Sequence, residues 1–359
     1  MTMSNNDLSI PVYFHPDQLN HKPLYEWAFG DKIDHPETTS RAESIYNELL
    51  KEPGLFDIRR PEGYPTKSLK DTHNESLMKL YHTAEALPPE QTYYPSIFPN
   101  REVAKGDPTN IRHAGFFCYD SGTPLNASTW TAAAWSAACA DQAAALMETG
   151  KVPVAYSLCR PPGHHASRNL FGGYCYFNNA AIGAKRLRKF GKIAILDIDF
   201  HHGNGTQSIF YRDPDVLNVS IHGDPKAFYP FFSGFLEETG MGKGVGFNKN
   251  IPLPEKTDGQ EYLKVLKKEA LSEITKYQPK VLIISAGFDT YKEDPVGDFS
   301  LETDDFFDVG LEIARLKLPL LVVQEGGYHS PTLGKNVSSF LHGVVEGIKS
   351  VKNSKTKGS

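Results

Sequence analysis

Asp197, Asp199 and His201 alternate within the run Asp197-Ile-Asp199-Phe-His201-His202-Gly203-Asn204-Gly205. On an extended chain that spacing turns all three side chains to one face. Carboxylate oxygen and imidazole nitrogen are good ligands for a first-row divalent metal. The same run is also rich in turn formers, so a solvated strand-to-loop connection is the plainer alternative for this segment taken alone.

The neighbouring elements favour the chemical reading. Residues 192–196 form an apolar run with the pattern of a buried parallel strand, and the acidic pair follows it directly. A second run, 281–285, leads into Ala286-Gly287-Phe288-Asp289. A third, 320–323, leads into Gln324-Glu325-Gly326-Gly327-Tyr328. A fourth, 152–158, leads into Arg160-Pro161-Pro162-Gly163-His164-His165. In a parallel sheet all four ends share one edge, where open α/β sheets place their sites. A third ligand (Asp289), two candidate bases and a phenol would then converge on the Asp-x-His pair.

The expected fold is α/β: a single-domain, three-layer α/β/α arrangement with a central, mostly parallel sheet over residues 1–349. Residues 10–15 read as the first strand. Helices are expected at 40–50, 68–86, 129–149, 178–190, 261–277 and 304–316, with Gly150 and Gly191 as stops. Residues 87–112 are Pro-rich and aromatic, too long for an ordinary connection, and read as a lid or an interface. The Lys/Ser/Gly-rich tail, 350–359, is expected to fray.

Lys and Arg total 38 against 43 Asp and Glu, a formal charge of −5, which gives no support to nucleic-acid binding. Cys118, Cys139, Cys159 and Cys175 lack Cys-x-x-Cys spacing and read as buried free thiols. Met1–Asp7 lacks the basic-then-apolar pattern of a signal peptide, and no run reaches the roughly 18 apolar residues of a membrane span. A cytoplasmic protein with no membrane partner is the expectation.

Five motifs in order carry a family resemblance: Arg160-Pro-Pro-Gly-His-His165, Gly173-Tyr-Cys-Tyr-Phe-Asn-Asn179, the segment from Asp197 to Gln207, Ser285-Ala-Gly-Phe-Asp289, and Glu325-Gly-Gly-Tyr328. Over residues 11–349 the chain resembles the histone deacetylase superfamily, metal-dependent amidohydrolases on the arginase–deacetylase fold. Residues 222–230, 237–240, 119–124 and 333–337 make it most similar to the bacterial acetylpolyamine amidohydrolases.

That resemblance implies a divalent ion, zinc with iron(II) or another metal as alternatives, held by Asp199, His201 and Asp289. It implies His165 as general base, paired with Asn204, and His164 as its neighbour near the leaving group, paired with Asp197. An Asp partner favours imidazolium, and a neutral Asn leaves its histidine less basic. Tyr328 would donate to the oxyanion, swung inward by Gly326-Gly327. Tyr174 and Tyr229, beside Gly173, would wall the channel, and Glu37 and Asp120 are candidate acidic groups at its rim. A structural potassium ion would sit on Asp197, Asp199, His201, Ser220 and Ile221.

The implied substrate is a small cationic acetylated amine, and the implied assembly a homodimer through the loop 87–112. No residue stands out as the carboxylate that holds the distal amine. Deacetylation of acetyl-lysine in proteins is the second reading. A non-catalytic metal-binding or scaffold member would lack a ligand, a base or the tyrosine, and an arginase-like site with two manganese ions would need more carboxylates at these strand ends.

Overall fold

The computed structural model describes residues 8–28 and 30–356, the last six as backbone only. Its centre is an eight-stranded sheet built from β1 (Ile10–Tyr13), β2 (Phe56–Arg59), β3 (Val154–Ser157), β4 (Ile193–Asp197), β5 (Val216–Gly223), β6 (Asn248–Leu253), β7 (Val281–Ala286) and β8 (Leu320–Gln324). The strand order is β6-β5-β4-β7-β8-β3-β1-β2, and every neighbouring pair is parallel. The four strands whose ends carry the motifs, β4, β7, β8 and β3, are therefore consecutive.

Alternation along each strand divides the core in two. Ile193, Ile195, Ile283, Leu321 and Val323 face one way, against α2 (Thr129–Met147) and α3 (Asn179–Leu187). Ala194, Leu196, Ile284, Leu320 and Val322 face the other. There they meet α1 (Thr39–Leu49), α4 (Thr303–Ala314) and α5 (Ser330–Thr356). Each fully buried Leu, Ile or Val side chain contributes about 1.5–3 kcal/mol, so both faces hold the strand ends in fixed register. The result is the expected three-layer α/β/α fold.

The expected helix over 68–86 is two helices, Thr66–Thr72 and Glu75–Ala84. Asn74 caps the second by accepting from Ser76 N. His73 between them is buried, with Nδ1 on Ser167 O at 2.9 Å and Nε2 accepting from Asn178 N at 2.9 Å. This bracket outweighs the local amphipathic pattern. The 261–277 region is helical from Gly259 to Tyr277 but contains a π turn at Leu266–Ala270.

Strands β2, β5 and β6 carry no clear apolar run and lie at the two sides of the sheet. In β5, Leu217, Val219 and Ile221 alternate with buried Asn218, Ser220 and His222. The helix α5 runs on to Thr356, past the expected start of the tail. Residues 1–7 and 357–359 lie outside the described residues, as do the expectations made for them. Among the described residues no helix is long and apolar enough to cross a membrane.

Candidate active site

At the carboxyl edge of the sheet, Asp199, His201 and Asp289 are buried, with one donor atom from each within 4.8 Å of the others. His201 Nδ1 lies 2.9 Å from Asp289 Oδ2 and 3.4 Å from Asp199 Oδ1. The carboxylates are aimed by backbone: His201 N donates to Asp199 Oδ1, Gly326 N to Asp199 Oδ2, and Phe200 N to Asp289 Oδ1. A Cβ on Gly326 would meet Asp199 Oδ2 and Asp289 Oδ2 at 2.6 Å each. Glycine is therefore needed there for close approach.

Burial and the facing Asp199 push Asp289 up to about 7. Burial alone would lower His201, but hydrogen bonds and charge from Asp199 and Asp289 lift it to about 9. Two buried carboxylates and an imidazole so close together form a group that could hold a metal ion. An O, N, O donor set fits a first-row divalent ion.

The two histidines after β3 diverge electrostatically. His164 Nδ1 bonds Asp197 Oδ2 at 3.0 Å, and His165 Nδ1 bonds Asn204 Oδ1 at 2.7 Å. Burial opposes charge on His164, yet Asp199 and Asp197 raise it well above the ordinary imidazole value. Burial, with His164 and His201 nearby, drops His165 well below that value. One ring is thus set to be charged and the other neutral. Gly173, at φ +56°, packs on the His165 ring, where a Cβ would lie 2.3 Å from Cδ2.

Tyr328 is held rather than loose. Its N donates to Asp294 Oδ2 at 2.6 Å, Gly327 O accepts from Arg41 Nε, and the Arg41 guanidinium lies 4.6 Å from the centre of the Tyr328 ring. Gly326 serves close approach to Asp199 and Asp289, and Gly327 takes a positive φ of 115° just before Tyr328. Burial keeps the phenol protonated by raising it well above 10, with Arg41 opposing.

Tyr174 and Tyr229 both lie against the Gly173 turn, one as its neighbour in sequence and the other across space. A Cβ at Gly173 would sit 2.9 Å from Tyr229 Oη. The Tyr174 ring lies 5.8 Å from that of Tyr328, and the Tyr229 ring 5.0 Å from that of His165. The preceding Phe228 anchors the Tyr229 segment by packing its ring 4.9 Å from that of Phe200.

Neither expected rim acid presents a free charge at the rim. Glu37 is buried between Arg41 (2.9 Å) and Arg160 (2.7 Å), well away from solvent. Burial would raise it, but the two guanidinium groups bring it below the usual carboxylate range. Asp120 lies against the Gly173 turn and Tyr229, and its oxygens are already engaged. Oδ1 accepts from Gly122 N and Thr123 Oγ1, and Oδ2 from Gly173 N (2.6 Å) and Tyr229 Oη (2.8 Å). It holds Tyr229 and the Gly173 turn in place instead.

A buried carboxylate that no sequence pattern singles out is Glu26, on the small hairpin Tyr25–Ala28/Asp31–Asp34. Tyr174 Oη donates to it at 2.9–3.0 Å. Burial pushes Glu26 up to about 7, against the Tyr174 hydrogen bond. Tyr94, from the loop 87–112, stacks on Tyr25 of this hairpin at 4.3 Å, so the long loop buttresses the mouth. Arg41 and Asp294 were also missed, because they reach the Tyr328 segment from elsewhere in the chain and carry no spacing motif; Glu325 opens the Glu-Gly-Gly-Tyr motif but was given no role of its own.

Residues 35–344 match the model of the histone deacetylase domain. The chain belongs to the histone deacetylase family. It is 40% identical over 346 residues to acetylpolyamine amidohydrolase 2 of Pseudomonas aeruginosa, covering 94% of this chain and 99% of that one. It is 38% identical over 341 residues to the acetylpolyamine amidohydrolase of Mycoplana ramosa, covering 93% and 99%. The crystal structure of an acetylpolyamine aminohydrolase from Burkholderia pseudomallei superposes with a TM-score of 0.88 at 38% identity, covering 95% of this chain and 99% of that one.

Proposed function

We propose that this family member hydrolyses the acetyl amide of N-acetylated polyamines, releasing acetate and a free amine. Asp199, His201 and Asp289 would hold the divalent ion, zinc or iron(II), which when bound polarises the acetyl carbonyl and acidifies water. His165, kept neutral by its surroundings, takes the proton from the attacking water. Tyr328 donates its phenol proton in a hydrogen bond to the developing oxyanion. The C–N bond then breaks as the histidine pair returns a proton to the amine, with the charged His164 steadying the negative charge of the site.

Asp197 lies beside Ser220 in the pairing of β4 with β5, with Ile221 next along the strand. These groups and the backbone of Asp199 and His201 would seat a potassium ion beneath the site. Ile97 and Val103 in the loop 87–112 are 78% and 81% exposed, which favours a homodimer through that loop.

The observation that carries the substrate assignment is the Tyr174–Glu26 pair, a carboxylate hydrogen-bonded to the channel wall. An ammonium reaching it would favour the ionised form and gain a charge-assisted contact. The names of the relatives agree with this reading. Side-by-side kcat/KM values for acetylputrescine, acetylspermidine and an acetyl-lysine peptide test it. A polyamine preference of roughly tenfold or more, about 1.4 kcal/mol, is expected. A peptide preference favours protein deacetylation instead.

A further inference from the structure

A second cluster of donor groups lies next to the site and has no part in the proposed reaction apart from His164. One nitrogen of His164, Sγ of Cys175 and a carboxylate oxygen of Glu325 fall within 4.8 Å of one another, and all three residues are buried. We propose that His164, Cys175 and Glu325 form a second divalent-cation site, a nitrogen–sulfur–oxygen seat that fills when zinc is in excess.

The independent sign of a ligand is the Glu325 side chain. Its Oε2 accepts from Gly163 N at 2.6 Å and His164 N at 3.0 Å. Its Oε1 is fully buried with no partner. A buried carboxylate oxygen left unsatisfied costs free energy that a bound cation would offset. His164 Nδ1 is hydrogen-bonded to Asp197, and Nε2 lies 3.8 Å from Asp199 Oδ1, beyond hydrogen-bond reach. Cys175 supplies the thiol, and zinc accepts sulfur, nitrogen and oxygen donors together.

Burial pushes Glu325 up to about 8 and the Cys175 thiol well above its ordinary value. A cation entering the seat displaces the Glu325 and Cys175 protons and the Nε2 proton of the charged His164 to solvent, so binding tightens as pH rises. Occupation would also engage the His164 ring and depress turnover. That consequence rests on the proposed function, whereas binding itself does not.

The test uses the full chain, loaded first with one equivalent of zinc, then titrated with Cd2+. The Asp199–His201–Asp289 group contains no thiol, so thiolate-to-cadmium charge-transfer absorption reports only on a cysteine-containing seat. The expected result is one further ion per chain by dialysis and elemental analysis, with the band rising in step. Cys175→Ser removes the band, and Glu325→Gln weakens cadmium binding by more than the ~10-fold typical of losing an outer-shell partner. Absence of the band in the wild-type chain, or its survival in Cys175→Ser, overturns the proposal. An acetylpolyamine assay on the one-zinc chain, read before cadmium is added, reports separately on the function: no turnover at that stage, with the band appearing on titration, keeps the cation site and loses the deacetylase reading.

Discussion

The inner end of the site and its mouth are built in different ways. The inner groups, Asp199, His201, Asp289, His164, His165 and Tyr328, come from the ends of four adjacent strands and are fixed by backbone hydrogen bonds and, for the two histidines after β3, by Asp197 and Asn204. The mouth is assembled from a small hairpin, the Asp120 turn, the Gly173 loop and the loop 87–112. The sheet sets the chemistry rigidly, and the loops select what reaches it. Changes at the inner end should therefore act on turnover, and changes at the mouth on substrate affinity.

The largest effect expected is from metal removal. Stripping divalent ions by chelation should bring hydrolysis to background, with zinc or iron(II) restoring it, as followed by acetate release. Next, Tyr328→Phe should lower kcat by about 10²–10³-fold while bound metal, measured by elemental analysis, stays unchanged. Retained activity would remove Tyr328 from the mechanism.

A pH profile sharpens the contrast within the histidine pair. His165 sits well below the ordinary imidazole value, so the acid limb of kcat, which an effect on KM leaves untouched, should lie on the acid side of about 6.5. Asn204→Asp places a charge on its Nδ1 and should move that limb up by about 1–3 pH units. An unmoved limb would assign the base elsewhere.

At the mouth the effects are smaller and fall on KM. Glu26→Gln should raise KM for acetylputrescine about tenfold, near 1.4 kcal/mol, with kcat changed less than about twofold. Glu26 ionises as pH rises through about 7, so wild-type KM should fall across that range and the variant's should not. The stability consequence has the opposite sense. Between the unfolded value of 4.5 and about 7, the folded chain keeps a proton that the unfolded chain has lost, so stability decreases as pH rises. Thermal melts of Glu26→Gln should lose that slope.

The same contrast explains what the sequence made legible. The inner residues follow long apolar runs, and each run ends in a polar group, so sheet physics alone brings them together. Glu26 lies on a four-residue strand with no apolar run, and its contact with Tyr174 spans 148 positions. Glu37 looked like a rim acid because its second partner, Arg160, lies 123 positions away and is joined to it only by the fold, whereas Arg41 is a neighbour four residues on. The break at His73 depends in the same way on Ser167 and Asn178, about a hundred residues away.

The most direct test is a crystal structure of the zinc-loaded chain with anomalous scattering measured at the zinc edge. The account predicts a peak bound by Asp199, His201 Nδ1 and Asp289, facing His165 and Tyr328. A chain that takes up zinc without density among those three side chains would contradict it.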